Sequence, residues 1–121
     1  LNEALNSNFN IEIDLFYDGN YLWLGHDNPQ YKLKDNEWLE DERIWCHAKN
    51  IKTLNYLINQ KNIHSFFHQN DDVTLTSNGF IWTFPNKEVF SNSIIVVQEK
   101  IMKSQLPSCY GICSDYVNML K

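Results

Sequence analysis

The stretch Ile11-Glu12-Ile13-Asp14-Leu15-Phe16-Tyr17-Asp18-Gly19-Asn20-Tyr21-Leu22-Trp23-Leu24-Gly25-His26-Asp27 decides how the rest of the chain is read. Side chains alternate faces along a strand, so Ile11, Ile13 and Leu15 point one way while Glu12 and Asp14 point the other, about 7 Å apart. Two acids then share one face. Asp18-Gly19, flanked by apolar alternation, predicts a reversal into a second strand that carries Leu22 and Leu24 and brings His26 back toward the carboxylates.

Like charges this close repel, and a low-dielectric surrounding sharpens the repulsion, so a buried Glu-x-Asp pair calls for a cation or strong donors. Hard oxygen ligands point to Mg²⁺ or Ca²⁺. The competing reading of the same spacing is a solvent-exposed strand face with a surface histidine.

Glu12-x-Asp14, Asp18-Gly19 and His26-Asp27, in this order and spacing, resemble the signature of the glycerophosphodiester phosphodiesterase family. The resemblance implies that Glu12 and Asp14 are metal ligands and that His26 is a general acid. In that family the strand after the hairpin tends to end in Glu-x-Lys, and the matching place here reads His47-Ala48-Lys49. By that match His47 would be the third metal ligand and Lys49 a catalytic, phosphate-facing cation. An imidazole suits Zn²⁺ or Mn²⁺ better than Ca²⁺, which leaves the metal open among these. Gly111-Ile112-Cys113-Ser114-Asp115 resembles the family's last barrel strand, with Asp115 capping a helix over 116–121. The family's opening strand, ending in His-Arg-Gly and supplying a second histidine, has no counterpart before Glu12. The expectation is therefore a single domain over 1–121, lacking that strand at its N-terminus.

The remaining runs fit an α/β chain. Ile44-Trp45-Cys46-His47-Ala48 reads as a strand buried on both faces. Asn50 is a helix N-cap before Ile51, Leu54, Leu57 and Ile58 at helical spacing. Strand and helix together open a βαβ unit. Apolar runs at 64–68, 80–84, 93–97 and 110–114 read as further buried strands. The gaps between them, of about eleven, eight and twelve residues, are at or below what a helical crossover needs. A short helix end is read before Asn6, and residues 28–31 and 38–43 as turn and exposed connection. The fold class expected is a reduced (β/α) TIM-barrel-like domain with short or missing helices. In a parallel barrel the strand ends carry the chemistry, which makes His68 and Trp82 candidate substrate contacts, with Glu99 behind them.

Composition excludes other classes. With 121 residues and a net charge of -5, the chain has no Lys/Arg stripe to track a nucleic-acid backbone. No apolar run reaches the length of a membrane span. Three cysteines, an odd count, fit a reducing, cytoplasmic setting better than a disulfide framework. The function expected is metal-dependent hydrolysis of a small glycerophosphodiester to glycerol phosphate and an alcohol. Its rivals are a catalytically inactive module binding a phosphoryl headgroup and a sphingomyelinase D-like phospholipase. An open seam in the barrel would favour a homo-oligomer.

Overall fold

The computed structural model describes residues 6–98 and 106–116, and the chain divides into two compact units, Leu1–Gln69 and Asn70–Lys121. In the first unit β1 (Ile11–Tyr17), β2 (Leu22–Leu24), β3 (Tyr31–Lys32), β4 (Ile44–Ala48) and β5 (Ser65–Phe67) form one sheet in the order β3-β2-β1-β4-β5. β1 pairs antiparallel with β2, Leu15 opposite Leu24, and parallel with β4, Asp14 opposite His47. β4 pairs parallel with β5, and helix α1 (Ile51–Ile58) makes the connection between them.

Local chemistry explains each joint. Asp18 closes the β1–β2 turn: its Oδ1 accepts the backbone N–H groups of Asn20 and Tyr21, both at 2.7 Å, and its Oδ2 accepts Trp23 Nε1–H at 2.9 Å. Gly19 follows at φ +103°, a left-handed conformation that side chains other than glycine's resist. Gly25 ends β2 where a Cβ would stand 1.9 Å from the Asn28 carbonyl oxygen, so only glycine lets the chain fold over itself. Asn50 caps α1 as expected, accepting Thr53 N–H at 2.8 Å and the Thr53 hydroxyl at 2.7 Å. Thr53 Oγ1 in turn accepts Tyr17 N–H at 2.8 Å, tying the helix start to the end of β1. Leu15, Leu22, Leu39, Ile44, Cys46, Ala48 and Leu57 form the buried core. Each fully buried Leu or Ile contributes roughly 1.5–3 kcal/mol of burial free energy.

The second unit is a four-stranded sheet in the order β6-β7-β8-β9, made of β6 (Val73–Leu75), β7 (Ile81–Thr83), β8 (Ser93–Val97) and β9 (Gly111–Ser114). β6 and β7 are an antiparallel hairpin, and β7, β8 and β9 run parallel. Trp82, Ile94 and Ile95 are buried in it.

The expected TIM-barrel-like fold is corrected here. The described residues form small mixed sheets of five and four strands, neither closed into a barrel, with a single α-helix of more than one turn. The reason is visible in the connections. Residues 84–92 join parallel strands β7 and β8 in nine residues, without a helix, through Pro85 and a left-handed Asn86. Antiparallel strands β3 and β6 also sit at sheet edges, where an all-parallel barrel has no edge. β3 starts at the last residue of the expected turn 28–31, β6 falls in the gap between two expected strands, and the start of the expected exposed connection 38–43 belongs to a 3₁₀ turn over 37–40. The helix end read before Asn6, Glu99 and most of the closing segment 116–121 lie outside the described residues. Among the described residues no helix is long and apolar enough to cross a membrane.

Candidate metal centre

The pairing of β1 with β4 decides the geometry of the acid pair. Glu12 lies opposite Trp45 and Asp14 opposite His47, so the carboxylates of β1 and the imidazole of β4 emerge on the same face from neighbouring strands. The other face carries Leu15, Cys46 and Ala48 into the core. His47 Nδ1 is 3.1 Å from Asp14 Oδ1 and 3.6 Å from Glu12 Oε1. Among the described residues, these three form the one group of acidic, histidine or cysteine side chains able to hold a metal, their ligand atoms all within 4.8 Å of one another. None of the three is exposed, the His47 side chain retaining 13% of its accessible surface.

The ring of His47 is fixed from two further sides. Nε2 lies 3.1 Å from the His68 carbonyl oxygen, which can only accept, so Nε2 carries a proton. Phe66, opposite His47 on β5, stacks on the ring at 4.9 Å with an interplanar angle of 8°. Burial works against a charge on His47, but the bonds to Asp14, Glu12 and the His68 carbonyl outweigh it and hold its pKa up at about 9. The two acids diverge. Burial raises Glu12 above the ordinary carboxylate range. Burial pushes Asp14 the same way, yet its bonds to His47 and Glu12 and the nearby Lys49 charge bring it below that range. Asp14, closer to the imidazole, is thus the more readily ionised member of a coupled pair.

The other candidates are placed as follows. Lys49 is half-buried just past β4, its N–H bonded to the Leu15 carbonyl at 3.0 Å, close enough to bias Asp14. His68 is half-buried and meets His47 through its backbone carbonyl, with ring centroids 6.2 Å apart. His26 lies in the connection after β2 with 79% of its side chain exposed, its Nδ1 3.0 Å from Asp27 Oδ1. It is not a member of the Glu12–Asp14–His47 group. Trp82 belongs to the second unit, where it is buried on β7. That unit holds a cavity of about 320 Å³ between Phe84, Lys87, Ile95, Val97 and Leu106, and Trp82 is not part of its lining.

Two contributors were not anticipated from sequence. Phe66 and the His68 carbonyl orient His47, and the signal for them was the parity of β4 and β5, which aligns Phe66 with His47 once the strands pair in parallel. Asp18 bonds into its own turn, which pulls its carboxyl down to about 2, chiefly through the Tyr21 and Asn20 N–H groups. Comparison with known proteins finds no matching family model, curated protein or solved structure.

Proposed function

We propose that this protein is a metal-assisted phosphoric diester hydrolase acting on small glycerophosphodiesters. The observation that carries the reading is the convergence of Glu12, Asp14 and His47, with ligand atoms within 4.8 Å, on a face opposite the core. The reading rests on the site and its motif, since function follows from the site and not from the architecture around it. A divalent ion, when bound, supplies neutralisation of the phosphoryl charge and Lewis-acid activation of the attacking hydroxyl.

The chain's own residues divide the remaining work. Glu12, Asp14 and His47 hold the ion, and Lys49, past the end of β4, offers its ammonium to a phosphoryl oxygen. His26 delivers a proton to the departing alkoxide as the phosphorus–oxygen bond breaks, while the elements of water end on glycerol phosphate and the alcohol. The odd count of three cysteines supports a cytoplasmic, reducing setting. Two sheets that end in edge strands instead of closing support self-association.

The test is turnover of glycerophosphocholine by the full chain, with Mg²⁺, Ca²⁺, Mn²⁺ or Zn²⁺ added after chelation. Glycerol phosphate and choline are expected with at least one metal. Glu12→Gln should abolish release, and His26→Ala should slow it by about 10²–10⁴-fold. Absence of turnover with every metal, or an unaltered rate in His26→Ala, overturns the reading. A sphingomyelinase D-like activity would instead appear as choline release from sphingomyelin vesicles.

One observation favours a second reading. The His26 ring is largely exposed and bonded to Asp27, as expected of a module that grips a phosphoryl headgroup at the metal without cleaving it. Saturable, metal-dependent binding of glycerol phosphate by a chain that turns over no diester would select this alternative.

A further inference from the structure

The donor set of the cluster carries more than the presence of a cation. It offers two carboxylates and one imidazole nitrogen, drawn from neighbouring strands of one sheet. Ca²⁺ takes about six to eight oxygen ligands, and Mg²⁺ is usually held through one or two carboxylates and waters. Nitrogen donors favour the borderline ions such as Zn²⁺. Catalytic zinc sites keep three protein ligands and one open position, which is the number of ligands supplied here.

The ring is also oriented as a ligand. Its Nδ1 faces both carboxylates while Nε2–H is bonded to the His68 carbonyl at 3.1 Å. A ligating histidine commonly donates its second N–H to a carbonyl or carboxylate in this way, which fixes the ring and raises its basicity. The Phe66 stack blocks rotation of the ring out of the site. The spacings of 3.1 and 3.6 Å bracket the edge of roughly 3.3 Å for a tetrahedron with bonds of about 2.0–2.1 Å. An octahedron with calcium-length bonds has a similar edge, so the nitrogen donor, not the spacing, decides.

Resting on the metal-assisted reading above, we infer that the ion taken here is a borderline transition metal of the zinc class, ligated through His47 Nδ1 and positioned by Phe66 and the His68 carbonyl, in preference to Mg²⁺ or Ca²⁺. The open fourth position is where a phosphoryl oxygen of the substrate would coordinate. Phe66 is a positioning residue, acting on the metal only through His47.

The full chain, stripped with chelator, is titrated calorimetrically with Zn²⁺, Mn²⁺, Mg²⁺ and Ca²⁺. Zn²⁺ is expected to bind tightest, by more than about tenfold over Mg²⁺ and Ca²⁺. Co²⁺ should develop the intense visible bands of low-coordinate cobalt. His47→Gln keeps both acids and removes the nitrogen, so Zn²⁺ affinity should fall by about 10–100-fold or more while Mg²⁺ affinity changes little. Near-UV circular dichroism checks that this variant is folded; the wild-type ranking and the Co²⁺ spectrum decide the matter even if it is not.

Binding of Mg²⁺ or Ca²⁺ ahead of Zn²⁺, with diester turnover intact, overturns this inference and leaves the hydrolase standing. Zinc-first binding without turnover of any diester supports the inference and removes the hydrolase. A chain that binds none of the four ions overturns both.

Discussion

His47 carries the first prediction, because its protonated ring donates Nδ1–H toward Asp14 and Glu12 and Nε2–H to the His68 carbonyl. Its folded pKa of about 9 lies above the value of about 6.5 expected in an unfolded chain. The folded state therefore holds the proton more tightly, so the stabilisation is complete below about pH 6.5 and is lost as pH rises through about 9. Thermal midpoints of the metal-free protein should fall across that window, and His47→Gln should flatten the profile there. A flat wild-type profile between pH 6.5 and 9 would show that the imidazole is not held this way. Gly25 is the other residue that decides something alone. A Cβ 1.9 Å from the Asn28 oxygen must displace backbone, so Gly25→Ala should cost at least about 1–3 kcal/mol, read as a lower urea midpoint at constant slope.

At the scale of elements, α1 is held to the sheet by a relay from Asn50 through Thr53 to Tyr17. Asn50→Ala removes the cap and leaves the Thr53 hydroxyl without its acceptor in a buried position. A lost cap costs about 1 kcal/mol. The loss here should exceed that, and should be larger than in Asn59→Ala at the helix's other end. Equal urea midpoints for the two variants would mean that the relay adds nothing to an ordinary cap. The hairpin joint depends on Asp18, which accepts three N–H donors from its own turn. That use of the carboxylate makes the Asp-Gly pair a structural part of the motif that brings β2 back along β1.

For the whole molecule, the cluster belongs to the first unit, which also holds Trp23, Trp38 and Trp45, while Trp82 belongs to the second. A ligand that binds only the folded chain stabilises it by about 2.7 kcal/mol at a hundredfold excess over its Kd. In a Trp82→Phe background, tryptophan fluorescence reports the first unit alone, and its unfolding midpoint should rise with added Zn²⁺. Glu12→Gln should remove that rise. An equal rise in Glu12→Gln would place the bound ion somewhere other than this cluster.

Much of the local structure is written in short-range chemistry, which depends only on neighbouring residues. The alternation of Ile11 to Leu15, the Asp18-Gly19 reversal, the Asn50 cap, and the apolar runs of β4 and β8 are such signals, and all formed as read. So is the common face of Glu12 and Asp14, because strand parity needs no partner. The rest was settled by pairing. Two-residue β3 and three-residue, exposed β6 are too short to announce themselves, and exist because β2 and β7 offer them an edge. Whether a chain of parallel strands closes into a barrel depends on connections and on a continuous ring of hydrogen bonds, and here two separate sheets formed instead. The same holds at the site. The sequence by itself put Glu12 and Asp14 side by side, but only the parallel register of β1, β4 and β5 brought His47 against them, Phe66 over its ring and the His68 carbonyl behind it. That register is a long-range choice made by the burial of Leu15, Cys46 and Ala48 against α1, and no local pattern contains it.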